Sequence, residues 1–423
     1  MKVALLLTGN ELMTGDTVDS NSSRIAQSLA LQGFDVAHKV TVGDDLALIV
    51  RELKNLTHRY EIVIVNGGLG PTVDDLTAEA LSILSGQALV ENNQALAHVN
   101  AWCKARGIAA NAANLKQSLL PATAAVLANP IGSAVGIQLF FNESLLLCTP
   151  GVPSELAAML DGSVSEALKH AFPVANARLV RRLKLFGMGE STLQQLLADH
   201  CPEWPKEVKV GFRAGAPLLE LKLEIDNIEY LDLRNDCETL LQRIVGEFIV
   251  GENDDTLASV VVELLQKSQQ KITVAESCTG GMIASQITGI SGVSSVFEAG
   301  FITYSNTIKQ KILGVDSDLI EKYGSVSEDA VRSMALGALD SASADCVIAV
   351  SGIAGPKGGT EEKPVGTVWI AWGSRDNLQA KRFNYPLGRQ SFQIMISALA
   401  LDLVRRFLLG STSLPDYFHR KRR

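Results

Sequence analysis

The sequence predicts an α/β protein built as three successive units, and three observations carry that reading. Continuous apolar runs such as Val3-Ala4-Leu5-Leu6-Leu7 and Ile62-Val63-Ile64-Val65 recur between helix-period segments, as parallel strands buried on both faces do. The strand–helix alternation holds over residues 1–172, gives way to a small α+β pattern over 173–252, and resumes over 253–423. With 423 residues and 47% apolar composition, the chain exceeds one ordinary core and supplies enough apolar surface for two or three.

In the first unit, strand patterns at 2–8, 35–41 and 62–65 alternate with helix patterns at 22–31 and 46–56. Pro150 and Pro153 punctuate the end of an apolar strand at 145–148, and a helix to about 171 closes the unit. The middle unit predicts two strands, at 179–186 and 218–225, and two helices, at 191–199 and 230–245. Few of its residues suggest chemistry, and a spacing or dimerisation role is expected. The third unit opens near Thr256 with an amphipathic helix. Strands at 271–275, 346–350 and 366–372 follow, and a helix at 392–409 ends it. No fixed-period repeat runs through the chain.

Charge narrows the function classes. The formal net charge is −8, and the one basic block is His419-Arg420-Lys421-Arg422-Arg423 at the terminus, read as a solvated tail. That balance excludes a nucleic-acid footprint over most of the surface. The six cysteines, at 103, 148, 201, 237, 278 and 346, form no C-x-x-C pair, so neither a disulfide framework nor a zinc site is expected. No apolar run approaches the roughly 18 to 20 residues of a membrane span. The chain starts directly on a strand pattern, which predicts no cleavable signal and a reduced, cytoplasmic protein.

The third unit has no histidine from Thr256 to Phe418. Ser-His-Asp and Cys-His arrangements therefore cannot be built within it, nor can a multi-histidine metal site. Metal-free hydrolysis there would need Lys, Tyr or a carboxylate as base. Ser277 stands where a strand ends and a helix marked by Gly280 and Gly281 begins, a turn that lets a substrate approach the backbone. It reads either as a nucleophile or, like Thr279, as a helix cap. Cys278 competes as nucleophile, and local sequence does not decide between the two.

Lys309 is the candidate base. In a helix over 307–314 it shares a face with Ile312 and Leu313, where apolar contact would lower its pKa; the alternative is a snorkelling surface lysine. Tyr304 could relay a proton or orient it. The glycine-rich run beginning Ser351-Gly352-Ile353-Ala354-Gly355-Pro356 reads as a phosphate cradle or as a tight turn. Arg389 is a phosphate partner or a surface arginine. In the first unit, Asn66-Gly67-Gly68-Leu69-Gly70-Pro71-Thr72-Val73-Asp74-Asp75 follows a buried strand. Its glycines suit an anion, and Asp74 and Asp75 either hold a divalent cation or cap the next helix.

Four separated motifs in the third unit resemble the CinA C-terminal family. They are Ala275-Glu276-Ser277-Cys278-Thr279-Gly280-Gly281, Tyr304-Ser305-Asn306 with Lys309, Gly352-Ile353-Ala354-Gly355-Pro356, and Lys363-Pro364-Val365-Gly366-Thr367-Val368. The resemblance covers about residues 256–410. It implies an amidase that converts nicotinamide mononucleotide to nicotinate mononucleotide and ammonia without a cofactor, in pyridine-nucleotide recycling. On that basis Ser277 is the nucleophile, Lys309 the base and Tyr304 its assistant, with Thr279, Gly280, Gly281, Ser351, Gly352, Gly355 and Arg389 around the substrate. Ser351 replaces the family's usual Thr and keeps the hydroxyl.

Residues 1–170 resemble the CinA N-terminal domain, which is similar to molybdopterin-binding proteins. The match rests on the 66–77 run, Gly9-Asn10-Glu11-Leu12, Val42-Gly43-Asp44-Asp45 and Pro150-Gly151-Val152-Pro153-Ser154-Glu155; Gly187-Met188-Gly189-Glu190-Ser191 extends it into the middle unit. The resemblance implies a three-layer fold and hydrolysis of ADP-ribose with a divalent cation and potassium. Its site would comprise Glu11, Asp44, Gly68, Gly70, Asp74 and Asp75, with Asp44 and Asp75 as metal ligands. Three departures weaken that activity. Asn10 replaces a Thr, Ala134-Val135-Gly136-Ile137 replaces Ala-Pro-Gly-Phe, and no lysine follows the Pro-Ser-Glu run. The partners implied are a small-molecule nucleotide and a second copy in a homodimer, with neither nucleic acid nor membrane.

Overall fold

The computed structural model describes residues 1–173 and 178–415, so the basic block at 419–423 lies outside the described residues. The chain divides into two compact units, one formed by residues 1–179 with 226–228 and the other by 180–225 with 229–423.

The first unit holds a sheet built from β1 (Lys2–Thr8), β2 (Asp35–Val42) and β3 (Ile62–Asn66), continued by β6 (Ala125–Leu127), β7 (Gly136–Phe141) and β8 (Ser144–Thr149). A short separate pair, β4 (Leu89–Glu91) and β5 (Leu119–Pro121), stands outside it. The strand order is β2-β1-β3-β8-β7-β6, parallel through β8 and antiparallel at β7 and β6. The run at 3–7 shows why the layer is double-sided. Val3, Leu5 and Leu7 face one apolar cluster with Ile25, Leu29, Leu156 and Leu160, while Ala4 and Leu6 face another with Ile49, Leu53 and Leu81. Helices cover both faces, which gives the three-layer domain. From β1 the chain first crosses to β2 on one side and then returns to β3 on the other. This switch opens a crevice at the carboxyl ends of β1, β3 and β8.

The second unit begins with β9 (Leu179–Leu185), β10 (Lys209–Ala214), β11 (Leu219–Ile225) and β12 (Ile249–Glu252), in the order β10-β11-β9-β12. Sequence reading found two of these four strands. β10, Lys-Val-Gly-Phe-Arg-Ala, is an edge strand half open to solvent and lacks the apolar run of a central one. β12 has only four residues. Phe186 and Val250 from this module share a core with Leu257, Val261 and Ile272 of the following domain. A buried Asp402 pairs with Arg405 and Arg406 at 2.7 Å each, and both arginines also donate to the Glu247 carbonyl.

The last domain carries β13 (Ile272–Glu276), β14 (Phe297–Ile302), β15 (Cys346–Gly352), β16 (Thr367–Gly373) and β17 (Leu378–Asn384), in the order β14-β13-β15-β16-β17. β14, β13 and β15 are parallel; β16 and β17 are antiparallel additions. β14 and β17 escaped sequence reading because both are half-exposed edge strands without a continuous apolar run, β14 being interrupted by Glu298 and Gly300 and β17 being largely polar. A second switch, out to β14 and back to β15, places the carboxyl ends of these three strands around one crevice. The six cysteines are free and buried. Among the described residues no helix is long and apolar enough to cross a membrane.

The helix Glu328–Ala342 packs on Asn306–Leu313, the helix that carries Lys309, through Gly337. A Cβ there would overlap the Leu313 carbonyl, a backbone atom that cannot rotate away. Gly337→Ala is expected to cost about 1–3 kcal/mol through overpacking, measured as a shift in the denaturant midpoint. An unchanged midpoint would show that the two helices are free to separate.

Candidate active site

β13 ends in Glu276, and the chain reverses through Ser277–Gly281 into the helix Met282–Thr288. Gly280 (φ 67°) and Gly281 (φ 97°) hold left-handed conformations that L side chains rarely adopt, and a Cβ on Gly281 would lie 2.8 Å from Ile302. The Ser277 amide donates to Val350 of β15 at 3.1 Å, which fixes the turn to the neighbouring strand. Neither Ser277 nor Thr279 caps the helix, so that reading is corrected. The N-cap is Gly281, without a side-chain bond. The Glu276 carboxylate instead accepts the amides of Gly281 (3.1 Å), Ile283 (3.1 Å) and Ala284 (2.8 Å). The Ser277 hydroxyl is therefore left for other work. Thr279 is 2% exposed, and its hydroxyl has no hydrogen-bond partner.

Lys309 is 1% exposed, among the largest fully buried side chains of the protein. Ser305 caps its helix by accepting the Ile308 amide. The lysine Nζ lies 3.1 Å from Ser277 Oγ, 2.8 Å from the Thr303 carbonyl and 3.2 Å from the Tyr304 carbonyl. These contacts match the valence of either protonation state. An ammonium donates to all three oxygens. A neutral amine gives its two N–H bonds to the carbonyls and turns its lone pair to the serine. Burial pulls the lysine pKa below its usual value, against a smaller opposing pull from Cys278. Sequence reading placed Ile312 and Leu313 on the lysine's face. Leu313 is buried there, but Ile312 is 44% exposed, because the helix tucks only its i+4 neighbour beneath it. Lys309 is not a snorkelling surface lysine.

Cys278 is buried, and burial pushes its thiol up to about 12, so it stays protonated near neutrality. It packs into the core with Ile283 and Val350, and its carbonyl accepts from Gln393 at 2.9 Å. Of the adjacent hydroxyl and thiol, the hydroxyl is the one hydrogen-bonded to Lys309.

The remaining residues gather around this pair in different ways. Tyr304 reaches Lys309 through its main-chain carbonyl, while its exposed hydroxyl accepts from Arg389 at 2.8 Å. Arg389 also donates to Gly355 O at 3.2 Å, which joins the 304 and 355 loops. The buried Ser351 hydroxyl donates to Ser325 O at 2.6 Å. Gly352 and Gly355 are required by packing: a Cβ on Gly352 would lie 2.9 Å from the Thr367 carbonyl, and one on Gly355 (φ 75°) 2.5 Å from Val365. Sequence reading missed Glu276, Thr303 and Gln393. The first sat inside a quoted motif but is a strand residue, and the other two lie 26 and 116 residues from Ser277 in the chain.

In the first unit, Glu11, Asp44, Gly68, Gly70, Asp74 and Asp75 all line one cavity of about 610 Å³ at the crevice of β1, β3 and β8. Gly67 (φ 113°) and Gly68 (φ 67°) bring backbone to its floor, where a Cβ would strike Thr8 or Thr77. Asp74 and Asp75 do not cap the next helix, whose N-cap Leu76 has no side-chain bond; both carboxylates accept from Thr72 instead. Asp44 has its pKa raised by burial and by the charges of Glu11, Asp74 and Asp75, against a hydrogen bond from Asn10. Asn10 forms a reciprocal pair with Asp44, donating its amide at 3.0 Å and accepting the Asp44 amide at 3.1 Å. Lys116, absent from the sequence reading, donates to the Thr72 and Asp75 carbonyls.

Among the described residues no three His, Cys, Asp or Glu side chains form a metal cage. The mutual repulsion felt by Asp44 still fits a cation held by one or two carboxylates and completed by substrate phosphate oxygens, as magnesium commonly is. Thr8 Oγ1 and Gln117 Oε1, both buried on the cavity wall, lack partners.

Comparison with known proteins places the chain in a family. Residues 254–408 match the family model described as CinA C-terminal domain, and residues 4–170 that of the probable molybdopterin binding domain. A CinA-like protein of Colwellia psychrerythraea is 49% identical over 419 residues, covering 98% of this chain and 97% of the relative. A CinA-like protein of Shewanella halifaxensis is 38% identical over 418 residues, covering 99% and 98%. Among solved structures, the competence/damage inducible protein CihA from Agrobacterium tumefaciens has 38% identity, covers 35% of this chain and 91% of its own, and gives a TM-score of 0.34. At such identity over nearly the full length of both chains, the protein belongs to the CinA family.

Proposed function

We propose that the C-terminal domain is an amidohydrolase that converts nicotinamide mononucleotide to nicotinate mononucleotide and ammonia. The observation that carries this reading is the 3.1 Å approach of a buried lysine to a serine hydroxyl, in a stretch from Thr256 to Phe418 that has no histidine. Lys309, made a stronger candidate for the neutral form by burial, takes the proton of Ser277 Oγ. The oxygen attacks the carboxamide carbon, and the carbonyl electrons move to oxygen. The amides of Cys278 and Thr279, which Glu276 does not take, are the donors left for that oxyanion. The Gly281 amide is already committed to Glu276. The lysine ammonium then gives its proton to the departing nitrogen, releasing ammonia. A water, deprotonated by the same lysine, attacks the acyl carbon; Ser277 leaves and recovers its proton. Arg389, bridging Tyr304 and Gly355, is the candidate for the substrate phosphate.

A second reading for the first unit rests on its cavity. Carboxylates, a glycine turn and two unpartnered polar atoms there suit a diphosphate with a divalent cation, and hydrolysis of ADP-ribose is the activity this favours. When bound, the cation would neutralise phosphate charge; Asp44 and Asp75 would hold it, and Asn10 fixes Asp44.

Three outcomes are expected. Ammonia release from nicotinamide mononucleotide should survive a chelator and fall at least about 10³-fold in Ser277→Ala. Cys278→Ala should retain it, and the opposite pattern would make the thiol the nucleophile. The pH profile of kcat/KM should rise on its acid side with loss of one proton and level off below the pH where an ordinary lysine titrates, because the neutral amine is the active form and its pKa is lowered. An acid limb at or above ordinary lysine values would remove Lys309 as base. For the first unit, AMP formation from ADP-ribose should require a divalent cation and be lost in Asp44→Asn; no AMP from the wild-type protein would sink that reading.

A further inference from the structure

Glu276 is fully buried on β13, directly before Ser277. Its two carboxylate oxygens accept three backbone amides from Gly281, Ile283 and Ala284, residues five to eight positions ahead. An ordinary N-cap side chain sits at the helix start and reaches one or two amides. Gathering three from beneath the turn takes a longer side chain delivered by the strand, and a negative charge suits the positive end of the helix. The same residue works through its main chain as well. The Glu276 carbonyl accepts the Thr303 amide at 2.9 Å, and the Thr303 carbonyl accepts Lys309 Nζ at 2.8 Å.

We propose that Glu276 is a positioning residue that holds the Ser277 turn in register with Lys309. This inference rests on the amidase reading above. Fully buried, and with three of its carboxylate's four lone-pair directions taken by amides, Glu276 acts through Ser277 and not on the reacting atoms. The turn depends on it because the glycines at 280 and 281 would otherwise allow many conformations. Releasing the three amides frees the turn to move the hydroxyl away from Nζ. It also lets the Gly281, Ile283 and Ala284 amides compete for the oxyanion in unproductive positions.

The test compares Glu276→Gln and Glu276→Asp with the wild-type full-length protein. Gln keeps the shape but turns an NH2 group toward amides that are themselves donors. Asp keeps the charge but withdraws it by one methylene. Two readouts are taken: steady-state ammonia release from nicotinamide mononucleotide, and the rate at which a fluorophosphonate probe labels Ser277, with Ser277→Ala as the blank. For a pair displaced by about 1 Å, Glu276→Gln is expected to lower kcat by about 100-fold with KM within about threefold of wild type. Probe labelling should fall in parallel, and Glu276→Asp should lie between the two. A folded variant that keeps wild-type kcat and labelling, or that loses KM instead of kcat, overturns the proposal. Loss of the far-UV circular dichroism signal in both variants also overturns it, since Glu276 would then determine the fold and not the register. Wild-type protein that labels at Ser277 but releases no ammonia would sink the amidase reading alone, and the labelling comparison would still judge Glu276.

Discussion

A lysine side chain enclosed in the protein interior constrains everything around it. Removing an ammonium from water is costly unless its hydrogens find acceptors or the group sheds its proton. At Lys309 both remedies meet: two carbonyls at the end of β14 take N–H bonds, and burial favours the neutral form. The third direction is filled by the Ser277 hydroxyl. A site of this kind needs its partners fixed to within a few tenths of an ångström. The surrounding structure is arranged accordingly, with the Gly337 contact behind the lysine's helix and the Glu276 carboxylate behind the serine's turn.

The two ends of the chain solve a similar problem with different chemistry. Each has a sheet with parallel strands at the point where the strand order reverses, and each places its candidate groups at the carboxyl ends of the strands beside that reversal. In the first unit the crevice collects carboxylates and glycine turns, the groups proposed to meet phosphate and a cation. In the last it collects a buried amine and a hydroxyl, an environment for covalent attack. Glycines support both, though for separate reasons: at 67, 68, 280 and 281 the backbone is left-handed, whereas at 352 a neighbouring strand leaves no room for a Cβ.

Departures from family pattern acquire a physical meaning once neighbours are visible. Asn10, in place of a Thr, accepts the Asp44 backbone amide on its side-chain oxygen, while the Asp44 carboxylate is held by the Asn10 main-chain amide. No lysine follows Pro153-Ser154-Glu155, and Lys116, from a helix distant in the chain, donates to the Thr72 and Asp75 carbonyls. Ser351 keeps a hydroxyl, and that hydroxyl is bonded to the Ser325 carbonyl. Chain order alone shows such residues as gains or losses, whereas geometry shows which contacts they make.

By itself the sequence determined the α/β class, because continuous apolar strands such as 3–7 and 62–65 can be satisfied only by burial on both faces. It also removed histidine chemistry from the third unit, and its ordered motifs pointed to Ser277 and Lys309. Edge strands β10, β14 and β17 stayed hidden because half-exposed strands carry no such runs. Whether Ser277 capped a helix, which of Ser277 and Cys278 met the lysine, and how Tyr304 met it were decided only by tertiary structure. The physical reason is that each question turns on which atom fills a hydrogen-bonding direction. Here the atoms that filled those directions came from elsewhere in the fold: Glu276 on β13 took the helix amides, the core took the Cys278 thiol, and Arg389, far along the chain, took the Tyr304 hydroxyl.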